Sequence, residues 1–154
     1  MRDILFRGQT RRKGEYIVNM AGDKCESHWV YGGIFPQNKD GDFAIIYQQE
    51  PEIRKFTVYA DTVGQYTGLT DKNGVRIFEG DICRFKRFND IYIGKIVFNV
   101  KTASFVMWYQ SIVGAYGEKA THKMLLSVCD DIEVIGNIHD NPELLGGENN
   151  GINR

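Results

Sequence analysis

Apolar positions in this chain fall in short runs with a period of two, and no stretch sustains the 3.6-residue period of a helix. The runs cover residues 4–6, 16–18, 28–35, 43–47, 55–60, 82–88, 91–100, 104–109 and 131–138. In 91–100, Ile96, Phe98 and Val100 share one face and Val97 and Asn99 the other. In 104–109 both faces are apolar, with Phe105, Met107 and Tyr109 against Val106 and Trp108, so that strand needs cover on two sides. Polar segments at 36–42 and 110–121 read as a turn and a long loop, and 122–128 as a strand. The signals change once. Asn141, Pro142, Glu143 and Gly146 give a capping residue, a proline at the first helical position, an acidic first turn and a closing glycine, which is one turn of helix.

The most informative stretch is 62–85, TVGQYTGLTDKNGVRIFEGDICRF. Asn73 and Gly74 adopt positive φ at low cost and predict a tight hairpin, and Gly80 with Asp81 forms a second turn that opens into an apolar strand. Short paired strands joined this way predict an SH3-like small β-barrel over 62–145. An irregular β subdomain over 1–61 precedes it, and 146–154 is a polar tail.

Composition narrows the picture without changing it. Of 154 residues, 42% are hydrophobic and 25% charged, the balance of a folded globular chain, and seventeen glycines against three prolines suit many tight turns. Nineteen basic and twenty acidic side chains leave a net charge of -1, so bulk charge drives no association with nucleic acid or membrane, and any such binding needs a local patch. No apolar run matches a signal peptide or reaches the ~20 residues of a membrane helix, which predicts a cytoplasmic protein without membrane contact. Three cysteines, an odd number, argue against a disulfide framework.

The stretch 62–85, together with MRDILFRG at 1–8, HWVYGG at 28–33 and IEVIGNIHDNPELL at 132–145, resembles the YopX family of phage and prophage proteins. The resemblance implies a mainly β fold and a phage-encoded protein of the bacterial host cytoplasm, and it brings no catalytic residues.

Few residues combine into chemistry. Cys25 and His28 form half of a zinc site, but Cys83, His122, Cys129 and His139 are too scattered to complete a tetrahedron, so no metal or other cofactor is expected. Gly64 and Gly68 sit between strands with no helix to follow, which excludes a phosphate-cradling loop. Glu79 with Asp81, Asp130 with Asp131 and Glu133, and His139 with Asp140 are the candidate acid-base groups, but adjacent strand residues point to opposite faces, and Glu79 and Asp81 flank turns and read as turn or capping groups. No serine lies in a nucleophile elbow, and the expectation is a protein that is not an enzyme.

Two binding readings remain. Arg84, Lys86, Arg87 and Lys95, interleaved with Phe85, Phe88 and Tyr92, form a candidate nucleic-acid surface, in which cations meet phosphates and rings stack on bases. Arg84 and Lys86 face one way and Phe85 the other, so the plainer reading puts the ring in the core and the cations in solvent. Trp29, Tyr31, Phe35, Trp108, Tyr109 and Tyr116 exceed what a chain of this size readily buries, which points to a homo-oligomer built through the amino-terminal part. A phage accessory protein that binds itself and a macromolecular partner is the leading expectation, and a nucleic-acid-binding barrel the alternative.

Overall fold

The computed structural model describes residues 3–10, 16–18, 24–26, 29–35, 41–48, 53–113 and 118–146, with 16–18 and 24–26 as backbone. It is mainly β, built from antiparallel ladders and three short 3₁₀ turns. The chain divides into two compact units, Met1–Gly68 and Leu69–Arg154. Cys25 lies in a small hairpin of β2 (Tyr16–Val18) with β3 (Lys24–Glu26). The other half of the suspected zinc site, His28, lies outside the described residues, as does the 147–154 part of the tail.

In the first unit, β1 (Phe6–Gln9), β4 (Trp29–Phe35), β5 (Phe43–Gln48), β6 (Arg54–Tyr59) and the start of β7 (Gly64–Thr70) lie in the order β6-β5-β4-β1-β7. Alternation decides what each strand buries: Val30, Ala44, Ile46 and Val58 form the core, with Phe6, Ile34 and Phe56 packed beside them. Glycine is required where strands press on this core. A Cβ on Gly8 would meet Val58 at 2.8 Å, and one on Gly32 would sit 2.1 Å from the Tyr47 carbonyl oxygen. Thr62, buried in the 3₁₀ turn Ala60–Thr62, ties the sheet to its return. Its hydroxyl accepts the Gln9 N–H at 2.9 Å and donates to the Tyr59 carbonyl at 2.7 Å.

The second unit begins with the reversal from β7 into β8 (Arg76–Phe78). The turn differs from the expected Asn-Gly pair, because Gly74 has φ +81° while Asn73 does not enter the left-handed region. The Gly74 N–H reaches the Asp71 carbonyl at 3.0 Å and the Asp71 N–H reaches the Val75 carbonyl at 2.8 Å, a longer loop in which glycine alone takes the left-handed position. Asp71 selects this form. Its Oδ1 accepts the N–H groups of Asn73 and Val75 at 2.8 and 2.9 Å, and its Oδ2 accepts that of Val134 at 3.0 Å. Burial raises the Asp71 pKa, but the three amides outweigh it and the net shift is downward.

Beyond the turn, β9 (Asp81–Arg87), β10 (Asp90–Asn99), β11 (Ser104–Val113), β12 (Glu118–Leu125) and β13 (Asp130–Asn137) form a sheet in the order β12-β11-β10-β9-β13. β11 and β12 extend well into the segment read as a loop, of which 114–117 lie outside the described residues. Cys83, Phe85, Ile96, Met107 and Tyr109 point inward and meet Ile77 and Leu126 in one core, so Tyr109 is not the exposed ring the sequence suggested. Leu126 arrives on a 3₁₀ turn, Leu126–Val128, at the end of the segment read as strand.

The sheet does not close into a barrel, which corrects the SH3-like expectation for 62–145. The edge of β13 that would meet another strand is already occupied: its Val134 N–H is held by Asp71, and its Ile132 carbonyl accepts the Lys72 N–H at 2.9 Å. Two register shifts in β13 and a positive φ of 49° at Asp131 bend that strand further from regular pairing. The terminal turn Pro142–Leu145 forms as expected, but Asn141 does not cap it. Asn141 lies over Gly136, where a Cβ would come within 2.6 Å of its side-chain oxygen.

Asp71→Ala strands three backbone amides, and a loss of about 2–4 kcal/mol in unfolding free energy is expected, read from the urea midpoint. Because the folded pKa lies below the ordinary 3.8, the wild-type contribution is present above that pH and disappears as the pH falls through the lowered value. The alanine variant lacks that part of the acid dependence.

Candidate interaction surfaces

The four cations singled out in the sequence do not form one open patch. Arg84 and Lys86 project from the outer face of β9, as the alternation requires, and β13 brings carboxylates to meet them. Arg84 donates to Glu133 at 2.7 Å, Lys72 lies 2.6 Å from the same carboxylate, and Lys86 donates to Asp131 at 2.7 Å. Hydrogen bonds from Arg84 and Lys72 hold the Glu133 pKa down at about 2. The hydrogen bond between Lys86 and Asp131 raises the pKa of the lysine and lowers that of the aspartate. Arg87 is on the inner face and donates to the Tyr109 hydroxyl. Lys95 lies over the Trp108 ring, 4.8 Å from its centroid.

The interleaved rings divide the same way. Phe85 is buried, with Tyr92 packed at 5.8 Å and Tyr109 at 5.1 Å between ring centroids. Only Phe88 stands in solvent, 87% exposed at the tip of the β9–β10 hairpin with φ +54°. The stacking platform imagined on this hairpin is therefore mostly core.

The inner face carries a polar row that the sequence did not disclose. Tyr109 stacks on His122 at 5.0 Å, and the His122 Nε2 lies 2.7 Å from the Ser111 hydroxyl oxygen. The register pairs His122 with Tyr109 and Ser111 with Ala120, which leaves Ser111 diagonal to His122 on the same face, and the strand signal in the sequence stops at Tyr109. No carboxylate bonds the second imidazole nitrogen among the described residues, so the contact lacks the orienting third member of a nucleophilic triad. The other acid-base candidates serve the backbone: Asp81 accepts the Phe78 N–H at 2.7 Å, and Glu79 that of Phe98 at 3.3 Å. Asp140 accepts the Asn137 side-chain amide at 2.8 Å. Burial raises the Cys129 thiol to about 11, opposite to what a nucleophile or metal ligand needs. Among the described residues no three His, Cys, Asp or Glu side chains gather as a metal site.

In the first unit the outer sheet face is aromatic. Phe35 is 63% exposed, Phe43 46%, Tyr31 42% and Tyr47 38%, on the two adjacent strands β4 and β5. Cross-strand pairing sets Tyr47 against Gly33 and Phe35 against Ile45, and Phe43 packs on Tyr59 at 5.2 Å. A cleft of about 380 Å³ borders this face, lined by Gly41, Asp42, Phe43, Tyr59, Ala60 and Asp61. Of the rings expected to lie at an interface, Tyr31 and Phe35 are in this face and Tyr116 lies outside the described residues.

These features define a mainly β protein with open antiparallel sheets. The family model for the YopX protein matches residues 21–146, most of the chain, and the chain belongs to that family. No curated protein matches it. Among the described residues no helix is long and apolar enough to cross a membrane.

A carboxyl-carbon NMR titration is expected to place the Glu133 midpoint near 2, against an ordinary 4.5. Its pairing stabilises the fold above the ordinary value and is lost as the pH falls through about 2. Arg84→Ala moves the midpoint upward. A wild-type midpoint at the ordinary value would mean that the Lys72–Glu133–Arg84 group is not formed in solution.

Proposed function

We propose that this protein is a phage or prophage accessory protein of the host cytoplasm that acts by binding rather than catalysis, and that it first binds itself. The observation that carries this reading is the exposed aromatic face of β4 and β5, where Tyr31, Phe35, Phe43 and Tyr47 present rings to solvent side by side. Aromatic residues are enriched in the buried centres of interfaces, and grouped rings gain more from a partner than scattered ones. Asp71, Asp81 and Glu79, three of the acidic side chains near the central turns, are engaged with backbone amides.

A nucleic-acid function for the β9–β10 hairpin has weaker support in the fold than in the order of its residues. Arg84 and Lys86 already hold carboxylates, and Phe85 is inside the core. Displacing those carboxylates costs part of whatever a phosphate contact would contribute.

Sedimentation equilibrium is expected to show a concentration-dependent oligomer for the wild type. Tyr31→Ser with Phe35→Ser removes two exposed rings without opening the core and should weaken association at least about tenfold, one hot-spot residue being worth ~2 kcal/mol. A wild-type chain that stays monomeric at high concentration overturns the reading.

A further inference from the structure

The outer face of the second sheet holds a group of cations that the β13 carboxylates do not reach. Lys95, Trp108 and Lys123 are consecutive partners across β10, β11 and β12, so their side chains stand in one row on the same face. The neighbouring rows add Gln110 with Thr121 and Ile112 with Lys119. Lys119, Thr121 and Lys123 are exposed, and Trp108 is partly exposed with Lys95 at its ring. Of the β13 carboxylates, Asp131 and Glu133 are committed to Lys86, Arg84 and Lys72 at the opposite edge.

The geometry points to a single-stranded nucleic-acid site on this face, with Lys95, Lys119 and Lys123 meeting phosphates and Trp108 stacking on a base. Charge and shape both favour this occupant. Three lysines without a carboxylate partner among the described residues, in a protein of net charge -1, make a local positive field, and a polyanion gains from releasing its counterions there. Duplex phosphates would use the lysines and leave the indole idle, whereas unpaired bases offer π-faces to a ring set between cations. Gln110 and Thr121 supply hydrogen-bonding groups beside the ring without fixing a sequence. The site shares only Lys95 with the surface read from the sequence, and it is independent of self-association through the first unit.

The test is fluorescence anisotropy of a labelled oligo-dT of about 16 nucleotides, the upper site size of one small β domain, titrated with the full chain at several salt concentrations. The wild type should bind with an affinity that falls as salt rises. Lys95→Gln with Lys123→Gln should reduce the log–log salt slope by about 1.4, some 0.7 for each phosphate contact. Trp108→Ala should weaken binding about tenfold, while Trp108→Phe keeps a ring and restores most of the affinity. Arg84→Ala with Lys86→Ala should leave the slope unchanged. No binding at low salt, an unaltered slope in the Lys95/Lys123 variant, or full affinity in Trp108→Ala overturns the proposal. Equal affinity for a duplex of the same length overturns the single-strand assignment.

Discussion

Three backbone amides converge on one carboxylate, and the second half of the molecule is arranged around that convergence. Asp71 binds the two amides of its own turn and one from Val134, sixty-three positions along the chain. A local device and a long-range one are thus the same side chain. The turn fixes the start of β8, and the Val134 contact places β13 beside β9 with its remaining edge covered. Ionisation strengthens each of these bonds, which is why the pKa moves down despite burial.

The glycines complete this arrangement by permitting what the aspartate requires. Gly74 takes the left-handed position that closes the turn, and Gly80 takes another at φ +83°. The Gly80 amide then reaches the Ile96 carbonyl and its carbonyl accepts the Ile138 N–H, both at 2.9 Å. The segment 71–81, so dense in polar and turn residues that it looks like a site, spends that chemistry on backbone geometry. Function has to be sought on the faces of the sheets.

Strands were legible in the sequence because period-two patterning survives wherever one face meets a core, as at Cys83 and Phe85 or at Ile46 and Val58. Their ends were harder to see. Ser111 belongs to β11 and Lys119 to β12, both inside the segment read as a loop, because polar residues on an edge hairpin carry no burial signal. Barrel closure depends on which edge of β13 is free, and that was decided by a carboxylate distant in sequence. The partners of Arg84 and Lys86 were hidden for the same reason: strand order, not spacing along the chain, brings Glu133 and Asp131 to them. The aromatic excess was visible in composition and the pairing of 28–35 with 43–47 in the turn between them, but the register shows that Tyr31, Phe35, Phe43 and Tyr47 share one exposed face.

Among the described residues, β6 and β12 are two of the outermost strands of the open sheets, where edge peptide groups would ordinarily template the addition of another chain. Both strands are guarded by charge: Arg54 and Lys55 begin the first, and Glu118, Lys119 and Lys123 punctuate the second. An incoming strand would have to desolvate these groups one after another along its length. Lateral growth of the ladders into fibres through these two strands is thereby disfavoured.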